Sequence, residues 1–179
     1  MRQRSSGSKW PRVSRYLIPF EVVSTTQSYL RELGFKYLEG IAYWTGVFKE
    51  REAIVRGVIF PADYANGSIG NYAFSSVNLE TAFKVGNEIH KRKEYLLLQL
   101  HTHPFEAFHS YTDNNYPISH RVGFISIVIP HFARFPMEDR SMWKVYEYKG
   151  KGKWRSLGKR EVMEKFVIVD GDQRERRDQ

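Results

Sequence analysis

The feature that most constrains this chain is the run Tyr95-Leu96-Leu97-Leu98-Gln99-Leu100, which ends in His101-Thr102-His103-Pro104. A near-continuous apolar run of this length suits a central strand buried on both faces of a sheet. Pro104 has no N–H to give to a ladder, so the pairing stops there. His101 and His103 are two residues apart, so on a strand their side chains leave the same face. A buried strand therefore delivers two imidazoles to the lip of a sheet.

The surrounding pattern supplies layers to bury that strand. Residues 20–33 read as a helix, with Val22, Val23, Tyr29, Leu30 and Leu33 as its apolar stripe and Gly34 as its stop. Residues 41–48 and 53–60 read as two strands about a charged turn. Residues 61–76 are rich in Gly, Asn and Ser and read as a loop. Asn78 can cap a helix that runs to about Lys91, with Leu79, Ala82, Phe83, Gly86 and Ile89 on one face. A short helix begins near Ser110. Residues 124–129 form a second buried strand, 142–148 and 153–155 later strands, and 160–165 a final short helix. This alternation predicts an α/β fold in one domain over residues 17–169. Residues 1–16 form a flexible basic arm and 170–179 a polar tail. Trp143 and Trp154 are assigned to the core.

Composition narrows the chemistry. The 179 residues contain no cysteine, which excludes a disulfide framework, a cysteine nucleophile and any thiolate metal site. A metal would have to be held by His and carboxylates. No apolar run approaches the roughly 20 residues of a membrane helix, and no apolar segment follows the basic N-terminus as a signal peptide requires. The expected compartment is the cytoplasm.

The formal net charge is +8, and its distribution decides what it means. Residues 1–16 hold five basic residues and no acidic one, while residues 140–179 hold twelve basic and seven acidic. The middle, 17–139, holds eleven basic and thirteen acidic. A duplex-binding enzyme would be basic around its site, so nucleic acid is disfavoured as the main partner. Solvated basic termini and an acidic partner for those termini both stay open.

Ser110-Tyr111-Thr112-Asp113 follows the histidine pair, with Asp113 ten residues after His103. Two imidazoles and one carboxylate suit a catalytic zinc with its fourth position open. Zinc lowers the pKa of a bound water to about 7. The plainer reading is a helix start, with Ser110 as N-cap and Asp113 near the positive end of the dipole.

The string HTHP-x5-SYTD resembles the JAMM motif, H-x-H-P…S-x-x-D, of the JAB/MPN metalloproteases. That family also uses a glutamate shortly after its first helix. The stretch from Leu38-Glu39-Gly40 to Gly46 is similar to its E-x-x-G/A-x-L-x-G pattern. The resemblance covers roughly residues 17–135. Five residues separate Pro104 from Ser110, against six in the eukaryotic deubiquitinases, and this shorter form looks more like the bacterial members. Those are often found with E1-like and E2-like proteins in ubiquitin-like conjugation or defence systems.

The resemblance implies a central mixed sheet flanked by helices, an architecture related to the cytidine deaminases. It implies one zinc per chain, held by His101, His103 and Asp113. Glu39 would act as general base and then acid, and Ser110 would hydrogen-bond the oxyanion. The implied substrate is the bond after the C-terminal glycine of a ubiquitin-like protein, free or conjugated, and that protein is the expected partner. His109 flanks Ser110 and can line the site or orient a ligand. Glu32, Glu50 and Glu52 read as solvated surface, as do His120 and His131. Two further readings remain for the same residues: release of a small group from a sulfur-carrier protein, and a non-catalytic scaffold of the MPN type.

Overall fold

The computed structural model describes residues 11–64, 79–109 and 118–170. Its strands are β1 (Arg15–Pro19), β2 (Ile41–Lys49), β3 (Glu52–Ile59), β4 (Tyr95–Thr102), β5 (Ile125–Ile129), β6 (Lys144–Gly150), β7 (Lys153–Ser156) and β8 (Phe166–Val169). Among the described residues three α-helices accompany them: α1 (Phe20–Phe35), α2 (Leu79–Lys91) and α3 (Lys159–Lys165). The strands make one sheet in the order β7-β6-β5-β4-β2-β3-β1-β8. The sheet is mixed: β4 lies between an antiparallel β2 and a parallel β5, and β1 runs parallel to both β3 and β8. No helix among the described residues is long and apolar enough to cross a membrane.

Alternation along β2 shows how the two faces are used. Ala42 and Trp44 join a large cluster with Val22, Val23 and Leu30 of α1. Tyr43, pointing the other way, joins a smaller cluster with Val85 of α2. The two longer helices thus cover opposite faces. Each large apolar side chain so buried contributes about 1.5–3 kcal/mol. Trp44 also pins α1 to the sheet: its Nε1–H donates to Thr26 Oγ1 at 2.8 Å, and that hydroxyl donates to the Val22 carbonyl at 2.6 Å. Beside it, Gly46 sits at a shift in the β2–β3 register, and a Cβ there would stand 2.0 Å from the Ile54 carbonyl oxygen.

The sheet curls until its far ends meet. Trp143, just before β6, lies 6.0 Å from the Phe166 ring of β8. Arg140 donates to the Phe166 carbonyl. Arg155 of β7 places two N–H groups on the Glu161 carboxylate of α3, at 2.7 and 2.8 Å.

Several expectations need correction. β1 and β8 have no counterpart in the sequence reading, and β1 takes in the last two residues of the expected arm, Arg15 and Tyr16. Val13 and Tyr16 belong to the core. On α2 the buried residues are Thr81 and Val85, whereas Leu79 and Phe83 are exposed. Trp143 is buried as expected, but Trp154 is half-buried. The expected cap Asn78 and the helix start near Ser110 lie outside the described residues.

Candidate metal centre

The site is built where β4 ends. His101 is opposite Ile41 of β2 and level with Val128 of β5. One step further, Thr102 N–H donates to the Gly40 carbonyl at 3.0 Å, and Gly40 N–H donates to Thr102 Oγ1 at 2.9 Å. Residues opposite each other in such a pair share a face, and so do residues two apart. The register therefore puts Gln99, His101 and Ile41 on one side of the sheet. Glu39 and His103 lie just beyond the paired strands, two residues before Ile41 and two after His101.

Both histidines are deeply buried, at 3% and 6% exposure. Glu39 is half-buried. His103 lies just past the strand but remains tethered: its N–H donates to the Ile129 carbonyl at 3.0 Å, and its carbonyl accepts from Phe132 N–H at 2.9 Å. Phe132 is the middle of a left-handed turn, with φ of 54°, 52° and 54° at His131, Phe132 and Ala133. A left-handed conformation costs an L-residue about 1–2 kcal/mol, so something must hold the turn. Gln27 of α1 does much of this. Its amide donates to the Ala133 and Phe135 carbonyls at 3.2 and 2.8 Å, and its oxygen accepts from Met137 N–H at 3.2 Å. Phe132 also packs where Gly34 lacks a side chain: a Cβ on Gly34 would come within 2.3 Å of the Phe132 Cβ.

The imidazoles fit a shared metal ion. Their ring centroids are 5.1 Å apart. Two nitrogens about 2.0–2.1 Å from a tetrahedral zinc, each about 1.1 Å from its ring centre, give a separation of about 5 Å. Among the described residues no three His, Cys, Asp or Glu side chains gather in a metal-binding group. Asp113 and Ser110 lie outside the described residues.

The neighbourhood holds His109, which the sequence reading places near the site, and residues that it passes over. His109 approaches within 6.2 Å of the His101 ring, stacks on Tyr146 at 4.1 Å and meets the edge of Trp154 at 4.7 Å. Its Nε2 shares a hydrogen bond with Ser126 Oγ at 3.0 Å, and that oxygen also accepts from Gln99 at 3.1 Å. Gln99 left a signal, as a polar residue two before His101 in an apolar strand. Tyr146, Trp154 and Ser126 left none. Phe108 meets His103 edge-on at 4.8 Å, and Phe105 is strongly exposed nearby in sequence. Tyr43 is on the same face of β2 as Ile41, and burial pushes its phenol up, so it stays protonated.

The rival acids are elsewhere. Glu32 pairs with Lys36 on α1, Glu52 with Arg15, and Glu50 is exposed in the β2–β3 turn. His120 is exposed and His131 half-buried. The arrangement brings two buried imidazoles together at the end of β4, with their rings at a spacing that two ligands of one metal ion would have.

Comparison with known proteins defines the class. No protein-family model matches the sequence. The chain is 33% identical over 141 residues to the probable metalloprotease y4jG of Sinorhizobium fredii, covering 78% of this chain and 85% of that protein. It belongs to the family of that protein. The fold is similar to the solution structure of protein DSY2949 from Desulfitobacterium hafniense, with a TM-score of 0.57 over 87% of this chain and 93% of the other. At 11% identity this likeness concerns the fold alone.

Proposed function

We propose that this chain is a zinc peptidase of the JAB/MPN type that cleaves after the C-terminal glycine of a ubiquitin-like protein. The observation that carries the reading is the 5.1 Å separation of the His101 and His103 rings at the end of β4, with Glu39 two residues before the Ile41 that pairs with His101. The printed name of the Sinorhizobium relative supports the metalloprotease class.

In this reading His101, His103 and Asp113 hold the metal, which when bound supplies Lewis acidity and a water that ionises near neutral pH. Glu39 accepts a proton as the scissile carbonyl is attacked and returns it to the departing amine. Ser110 donates a hydrogen bond to the developing oxyanion. The burial of both imidazoles keeps bulk water from competing for their nitrogens. An extended, small-residue C-terminal tail is a good substrate, because it can be held strand-like at a sheet edge and threaded to the metal. E1-like and E2-like proteins of a cytoplasmic conjugation system are the proposed partners.

Metal analysis of the purified chain by mass spectrometry tests the ligand set. One zinc per chain, lost in both His103→Ala and Asp113→Ala, is the expected result. No zinc after refolding with added metal would overturn the reading and favour a scaffold.

A further inference from the structure

The charge asymmetry of the sequence is not used by the metal centre. The structure gathers it at the opposite end of the sheet. β2 begins beside His101 and runs its nine residues to the turn that carries Arg51, roughly 25 Å away at about 3.3 Å per residue. There a cleft of about 450 Å³ opens between the start of β1 and the middle of β6. Five cations line it: Arg12, Arg51, Lys149, Arg155 and Lys165. The N-terminal stretch supplies Arg12 and the C-terminal stretch supplies Lys149, Arg155 and Lys165, so the two basic ends of the chain converge here.

Among the described residues two carboxylates, Glu147 and Glu161, face these cations. Both are already engaged. Arg155 bridges them at 2.7 Å each, and Lys149 takes the second oxygen of Glu147 at 2.9 Å. Among the described residues neither Arg12 nor Arg51 has an ion pair. Lys165 donates to the Val13 carbonyl at 2.7 Å and stands 5.8 Å from the Tyr16 ring centre. Among the described residues Glu147 and Glu161 attract it from a distance but neither makes an ion pair with it, and burial outweighs their attraction.

We propose that this cleft binds a compact polyvalent anion of the diphosphate or triphosphate class, at a site separate from the metal centre. Its volume lies in the range of small-ligand pockets. Cations on three separate segments, the N-terminal stretch, the β2–β3 turn and the end of α3, suit an anion with several charged oxygens better than a single carboxylate. Arginine adds forked donors that match phosphate oxygens. Burial lowers the pKa of Lys165, and a neighbouring anion would oppose that shift.

Calorimetric titration of the full chain with sodium tripolyphosphate, at low and high salt, tests this. One tripolyphosphate per chain is expected, with affinity reduced about tenfold or more in Arg12→Gln/Arg51→Gln, both exposed positions chosen to spare the fold. Lys165→Met, checked for an unchanged melting temperature, should weaken binding too. His103→Ala and removal of residues 1–10 should leave it intact. ATP binding more tightly than tripolyphosphate would mark a nucleotide as the source, and equal affinities the phosphates alone. Absence of saturable binding, or binding that survives the double variant, would overturn the proposal. So would loss on removing residues 1–10 alone, which would move the anion to the arm.

Discussion

Gly40 and Thr102 are joined twice, by a backbone bond of 3.0 Å in one direction and a backbone-to-hydroxyl bond of 2.9 Å in the other. This double link ties the residue just before β2 to the last residue of β4. Thr102→Val keeps the shape but leaves the buried Gly40 N–H without its acceptor, which costs about 1–3 kcal/mol. At about 2–4 °C per kcal/mol, thermal unfolding should register the change. Peptidase turnover should fall with it, while metal content stays at the wild-type level.

Glu39→Gln separates metal binding from proton transfer. The amide keeps the size of the side chain but cannot accept the proton. Zinc content should be unchanged and turnover should drop by on the order of 10²–10⁴. A variant that loses zinc as well would show Glu39 to be a ligand rather than a base.

Gln27 is far from His103 in sequence but holds the turn that holds it. Gln27→Leu removes three hydrogen bonds from the segment 133–137 and should destabilise the fold by about 1–3 kcal/mol. Because Phe132 N–H bonds the His103 carbonyl, zinc should also dissociate faster, in a chelator competition run below the unfolding transition. Gly34→Ala should act in the same direction, since its methyl group would overlap Phe132.

The Arg155 link gives an acid limb to stability. The hydrogen bond from Arg155 holds the Glu161 carboxyl below its ordinary range. For Glu147, burial pushes upward, but hydrogen bonds from Lys149 and Arg155 prevail and the net direction is also down. Carboxyls lowered on folding stabilise the protein above their unfolded pKa of about 4.3, and that contribution disappears as pH falls through the folded value. Melting temperature should therefore drop on acidification below about pH 4.3, and Arg155→Gln should shrink that part of the drop.

The site was legible in the sequence to the extent that it is local. The two-residue spacing of His101 and His103 and the apolar run before them were enough to place both imidazoles on one face at a strand end, and the structure does so. The pairing of Ile41 with His101 is not legible in the sequence, because it depends on a register between segments sixty residues apart. The sequence marks His109 as a residue that can line the site, but not that its ring sits among Tyr146, Trp154 and Ser126 on strands from the far side of the motif. Trp154 was misread as core because tryptophan carries no sign of which face it will meet. On α2, Leu79 and Phe83 matched a helical stripe, but Thr81 and Val85 turned out to face the sheet. β1 and β8 escaped because four or five residues are too few to show a period, and each is defined by a partner at the other end of the chain.

That last pairing bears on how the protein is made. Tyr16 of β1 is level with Phe166 of β8, about 150 residues later. While the ribosome is still at work, β1 can dock on β3 but its outer edge waits for a strand synthesised about 150 residues later. Until then it presents unpaired backbone groups that another nascent chain can copy. Loops of such length close slowly, so this seam sets a window for misassembly during translation. A purified chain ending before Phe166 should associate with its own kind, and one that includes Val169 should not.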